Sequence, residues 1–136
     1  MQTHFTQTLY RHIKSLGGLV VIDEVQTGLG RTGHWWGYQI HPGVQPDIVT
    51  TGKPLANGHP LGLVVTSRAL ANLLPNELAE TYKISPIQEA IGNSILEVLI
   101  NDKLRENARD TGQFMVDYIH NMMENRKEVL FKPKQI

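Results

Sequence analysis

Residues 20–33, VVIDEVQTGLGRTG, narrow the possible folds more than any other stretch of the chain. An apolar, partly β-branched run stops there at two adjacent carboxylates and gives way to a loop punctuated by glycines. Leu19 to Ile22 is the kind of continuous run that a parallel sheet buries on both faces. A buried strand that delivers an acid, Asp23, to its own carboxyl end is how open α/β sheets build ligand sites. Upstream, Phe5, Leu9, Ile13 and Leu16 recur at helical spacing, and Gly17-Gly18 supplies a left-handed stop. The expected order is therefore helix, turn, strand, loop.

The remaining elements follow from local punctuation. Asp47 to Thr51 after Pro46 and Leu63 to Thr66 after the Gly58-His59-Pro60 turn read as two further short strands. A helix is expected over Arg68 to Leu74. Ser85-Pro86-Ile87-Gln88 combines an N-cap serine, a proline at the first helical position and a glutamine placed for a capping box. Ile87, Ile91, Ile95, Val98 and Leu99 then keep one apolar stripe, so a long helix begins there. Residues 102–124 continue on a looser helical pattern through Leu104, Ala108, Met115, Tyr118, Ile119 and Met122. The basic end NRKEVLFKPKQI has no clear period, and no internal repeat or low-complexity segment occurs.

Composition removes several function classes. Thirteen basic and thirteen acidic residues cancel among 136, leaving no electrostatic footprint for nucleic acid or an anionic membrane. Small molecules and other protein surfaces are the expected partners. The chain has no cysteine, which excludes disulfides, thiolate nucleophiles and thiolate metal sites. The six histidines are scattered without helical ligand spacing, so no metal site is expected. No apolar segment approaches the roughly 18 residues that span a bilayer, and MQTHFTQTLYRH lacks the apolar core of a secretory signal. A soluble, intracellular chain is the expectation.

The chemistry concentrates between Asp23 and Lys53, 30 positions apart (53 − 23), about one strand, loop and strand unit. Both are expected at the same end of neighbouring strands. Lys53 lies in TTGKPLANGHPLG among small residues and turn formers, with no carboxylate within five positions. Taken singly, Lys53 also reads as an exposed loop lysine and Asp23 as a helix or loop cap. Taken together they ask for a ligand with a carbonyl for the amine and a cationic nitrogen for the carboxylate. Pyridoxal phosphate has both. Gly28, Gly30 and Gly33 follow the acid and miss the dinucleotide fingerprint, so they read as backbone turns. Trp35 and Trp36 suit either stacking on a substrate or packing beneath a loop.

The stretches GGLVVIDEVQTGLGRTG, WWGYQ and PDIVTTGKPLANGHPLG, in this order and at this spacing, resemble class III pyridoxal-phosphate aminotransferases of fold type I. The resemblance implies an α/β fold, with residues 1–100 a partial large cofactor-binding domain built on a mainly parallel sheet with flanking helices. Residues 101–136 would be a helical connection toward a C-terminal small domain. It implies that Lys53 forms the Schiff base with the pyridoxal 5'-phosphate aldehyde and moves the substrate proton. Asp23 would pair with the pyridinium nitrogen, Val25 would pack on one ring face, and Gln26 would reach the ring hydroxyl. A further stretch, ETYKISP, keeps Thr81, Tyr82 and Pro86 of a family pattern but has Lys83, Ile84 and Ser85 in place of two glycines and an asparagine. Thr81 would bind the cofactor phosphate of a neighbouring subunit, which implies a homodimer.

The activity implied is amino-group transfer from an amino acid or ω-amine donor to a keto acid or aldehyde acceptor. GKPLANGHP also resembles the phospho-lyase branch, which eliminates phosphate from phosphorylated amines, and a non-catalytic fragment is the third reading. Family members are longer, with the phosphate loop and ring-stacking aromatic upstream of anything in these residues. An N-terminally truncated chain with exposed sheet edges and apolar surface is therefore expected. The compartment would be cytoplasmic or mitochondrial.

Overall fold

The computed structural model describes residues 2–74 and 84–125. Helix α1 (Gln2–Ser15) leads through a turn to β1 (Val21–Asp23), and a long loop then runs to a short 3-10 helix at Gly37–Ile40. Strand β2 (Ile48–Thr51), a second 3-10 turn (Lys53–Ala56) and β3 (Leu63–Thr66) follow, then the short α2 (Arg68–Ala71), α3 (Pro86–Asn101) and α4 (Leu104–Asn125). The strands lie in the order β1-β2-β3. β1 and β2 are parallel, with Val21 opposite Ile48 and Asp23 opposite Thr50. β2 and β3 are antiparallel, with Ile48 opposite Thr66. The α/β character is as expected, and the sheet among the described residues is mixed because β3 returns through a short connection.

Local chemistry explains the element ends. α1 stops where Gly17 takes φ +74°, with the Gly18 N–H donating 3.0 Å to the Ile13 carbonyl. At α3 the expected capping box is complete: the Gln88 N–H donates to Ser85 Oγ at 3.3 Å and the Ser85 N–H to Gln88 Oε1 at 2.8 Å. Such caps contribute about 1 kcal/mol each. α3 and α4 are separated at Asp102-Lys103, where Lys103 adopts φ +51°. The helix expected from Arg68 is held by Ser67, whose hydroxyl accepts from the Leu70 N–H, but ends already at Ala71.

The apolar core is small: Leu29, Val44, Val49, Leu55 and Ala56 are buried. It sits where the loop after β1, the central strand β2 and the second 3-10 turn meet. α3 packs on that turn through Gly92, where a Cβ would lie 3.2 Å from Leu61 Cδ2. The Gln88 amide also donates to the Pro60 carbonyl, so α3 braces the segment that follows Lys53. α1 is tied to the sheet by Lys14, whose Nζ lies 2.8 and 3.0 Å from the two Asp47 carboxylate oxygens. Asp47 Oδ2 accepts the Val20 N–H at 2.7 Å as well.

One expectation needs correction. Leu19 and Val21 are 54% and 59% exposed, so the Leu19–Ile22 run is not covered on both faces. β1 is an edge of the described sheet, and only its β2 side is paired. Phe5, Leu9, Val64, Phe114, Met115 and Tyr118 are exposed too. Open edges and bare apolar stripes are thus present, as expected for a piece of a larger α/β layer.

The Lys14 hydrogen bond, with that from the Val20 N–H, holds the Asp47 carboxyl below its ordinary carboxylate range. A depressed folded-state value contributes stability that is whole above the unfolded value and lost as pH falls through the folded one. Asp47→Asn should therefore unfold at lower denaturant than the parent near neutral pH. The gap should narrow as pH falls below the ordinary Asp value of about 3.9, in circular-dichroism titrations run from pH 7 to 2.5.

Candidate active site

Parallel pairing sends the carboxyl ends of β1 and β2 to one edge of the sheet. Asp23 is the last residue of β1, opposite Thr50. Thr51 ends β2, and Lys53 opens the 3-10 turn two residues later. The two residues singled out by the sequence therefore share one end of neighbouring strands. Lys53 is exposed and lines an open recess with Gly58, His59, Pro60 and Leu61.

Asp23 departs from expectation in one respect: it is exposed, not buried. Its Oδ1 accepts the Val25 N–H at 2.9 Å and the Thr50 hydroxyl at 3.2 Å. The buried acid is its neighbour Glu24, only 1% exposed. Successive residues of extended backbone point to opposite faces, so the adjacent carboxylates separate, Glu24 into the loop packing and Asp23 onto the uncovered face. Val25 is half-buried and Gln26 exposed, both in the turn that leaves β1. Thr81 and Tyr82 lie outside the described residues.

Glu24 was not singled out by sequence reasoning, although it carries more contacts than any predicted site residue. Its Oε1 accepts the Tyr38 N–H at 2.8 Å, and its Oε2 accepts the Gly37 N–H at 2.9 Å and the Thr27 hydroxyl. Its own N–H donates 2.7 Å to the Thr50 carbonyl, and its carbonyl accepts the Gly28 N–H at 2.9 Å. The signal was present in the doubled acid: at a strand end only one of two adjacent carboxylates can face a ligand. What the other meets depends on residues 13 and 14 positions away.

The loop between the acids and β2 is shaped by close approaches. Gly30 and Gly33 have φ +92° and +80°, in keeping with their reading as backbone turns. Trp35 packs beneath Arg105 of α4, whose guanidinium carbon is 5.4 Å from the ring centroid. That contact favours the packing reading of Trp35 over substrate stacking.

Chemically, the sheet edge offers a carboxylate and a primary amine. Both hydrogen bonds to Asp23 fall on Oδ1, and Oδ2 accepts none among the described residues. The carboxylate is thus held by one oxygen and has the other open for a cation. An exposed amine at the same end of the sheet suits a carbonyl, so the donor set fits a ligand carrying both functions. Among the described residues no group of three or more His, Asp or Glu is arranged to hold a metal ion.

The profile of the family described as aminotransferase class-III matches residues 1–131. The chain is 39% identical over 115 residues to the human mitochondrial alanine–glyoxylate aminotransferase 2, covering 82% of this chain and 22% of that protein. Among solved structures, an S-selective transaminase from Arthrobacter sp. superposes with a TM-score of 0.80 at 35% identity, over 92% of this chain and 28% of that one. A phospholyase from Arthrobacter in complex with phosphoethanolamine superposes with a TM-score of 0.75 at 33% identity, over 88% of this chain and 29% of that one. The chain belongs to the class III aminotransferase family, in keeping with the resemblance carried by its motifs. It spans about a quarter of the length of the curated relatives it matches. No described helix is long and apolar enough to cross a membrane.

The packing around Glu24 makes a steric prediction. A Cβ on Gly37 would lie 2.8 Å from Thr27 Cβ and 3.1 Å from Glu24 Oε2. Gly37→Ala should destabilise the chain by about 1–3 kcal/mol, read as a lowered urea midpoint with an unchanged slope.

Proposed function

We propose that these residues carry the lysine and the acid of a pyridoxal-phosphate-dependent transaminase. The carrying observation is the parallel β1–β2 pairing that sets Asp23 and the Lys53 turn at one end of the sheet. When bound, pyridoxal 5'-phosphate supplies an electron sink for the carbanion that deprotonation of the amine substrate leaves. The residues do the rest. The Asp23 oxygen that accepts no hydrogen bond among the described residues would hold the ring nitrogen protonated, which would favour the charge-delocalised transition state. The Lys53 amine would hold the cofactor through its aldehyde, and its Nζ is the base that would accept the proton from the donor's α-type carbon. Val25 would pack on the ring face, and Gln26 would meet the ring hydroxyl.

In this reading residues 1–100 are part of the large domain, and 101–136 lead toward the small one. The donor is an amino acid or ω-amine and the acceptor a keto acid or aldehyde. The complete enzyme is a homodimer in which Thr81 meets the neighbouring subunit's cofactor phosphate. The compartment is the cytoplasm or, as the names of several relatives suggest, the mitochondrion. A second reading, phosphate elimination from a phosphorylated amine, draws on the GKPLANGHP stretch and on the likeness to the phospholyase structure. Transamination is favoured because the matched family and the human relative are named for it.

Borohydride reduction of the cofactor-loaded protein, mapped by mass spectrometry, should place the adduct on Lys53; label spread over Lys14 and Lys103 would overturn the assignment. Asp23→Asn should keep its adduct on Lys53 yet lose about 100-fold or more in kcat. Donor supplied without acceptor should yield one equivalent of carbonyl product per site. Sustained release of phosphate from a phosphorylated amine would decide for elimination instead.

A further inference from the structure

We propose that Glu24 is a positioning residue, a buried carboxylate that pins both ends of the 25–38 loop to the strand end and thereby aims the Asp23 carboxylate. This rests on the reading of Asp23 and Lys53 as the site pair. No cation pairs with Glu24 among the described residues; its compensation is two backbone N–H groups and a hydroxyl. Burying a carboxylate is tolerable only with such a set of donors.

The donors come from both ends of the loop. Thr27 and Gly28 bind Glu24 at the start of the loop, and Gly37 and Tyr38 bind it at the end. The same residue reaches both strands of the site. Its N–H meets the Thr50 carbonyl, and its carbonyl accepts the Thr51 hydroxyl at 3.4 Å, two residues before Lys53. The next residue, Val25, donates its N–H to Asp23 Oδ1. A loop released from Glu24 would carry Val25 away and leave Asp23 one of its two hydrogen bonds.

The carboxylate cannot be exchanged for its amide. Each oxygen takes a backbone N–H, so whichever way a glutamine is turned, its NH2 group meets a donor that it cannot satisfy. The clash of donors costs the loop one buried, charge-assisted hydrogen bond.

The test is Glu24→Gln, followed first by amide hydrogen exchange on the full chain without cofactor. Exchange at Gly37 and Tyr38 should accelerate about 10- to 100-fold, and Val25 should follow, while the amides of β2 stay within about twofold. Faster exchange at Gly37 and Tyr38 with Val25 unchanged would make Glu24 a loop-packing group only and overturn the proposal. So would an unchanged pattern. In the cofactor-loaded protein, kcat should fall at least about 10-fold with the donor KM within about twofold, because misplacement of a catalytic group costs rate; a loss in KM alone would count against it. If Glu24→Gln does not fold, Thr27→Val carries the test at an exposed position, with exchange at Gly37 and Val25 expected to rise a few-fold and equality with the parent overturning the proposal. The exchange arm is read without cofactor, so a failed Lys53 adduct on the parent would strike the functional reading and leave the hold of Glu24 on the loop to be decided by exchange alone.

Discussion

The parallel ladder between β1 and β2 is the constraint on which everything else depends. Three residue pairs, Val21 with Ile48, Ile22 with Val49 and Asp23 with Thr50, set the register. A slip of one residue would exchange the faces of every side chain on β1. Asp23 would then turn into the loop and Glu24 outward. Because the strands run the same way, the chain must cross back between them, and the 24–47 segment does so. The site is thus a product of strand direction before it is a product of any one side chain.

Among the described residues, polar contacts fix that arrangement beside a small apolar core. Only a handful of apolar side chains among the described residues are buried. Two carboxylates hold the segments in place of a larger core. Asp47 joins α1 to the start of β2 and to Val20, and Glu24 joins the crossing loop to the ends of both strands. Each accepts several donors at once, and a carboxylate with several fixed donors is directional where apolar contact is not. The wide exposed apolar surfaces on α1, β3 and α4 fit a piece of a larger layered domain, as does its match to about a quarter of its curated relatives' length.

Division of labour between adjacent acids follows from the same geometry. A ligand-facing carboxylate must keep an oxygen free, whereas a structural one must fill both. Asp23 and Glu24 show these two patterns side by side. Lys53 is placed by different means. It opens a 3-10 turn whose Leu55 and Ala56 are buried and against which α3 packs at Gly92. The amine therefore stands on a braced turn while its own side chain remains accessible.

The sequence by itself determined the stop of α1 at Gly17, the three strands and the capping box at Ser85, because these depend on residues within about four positions of one another. Glycine stops, N-cap hydroxyls and β-branched runs act locally and can be read locally. The motif spacing was likewise enough to identify the family and to put Asp23 and Lys53 at one end of adjoining strands. Only the tertiary structure decided which of two neighbouring acids is buried. Glu24 takes its partners from Gly37 and Tyr38, and no local pattern around residue 24 announces donors that far along the chain. Exposure of Asp23, Leu19 and Val21 was equally illegible, since burial depends on what covers a face and not on the side chain that occupies it.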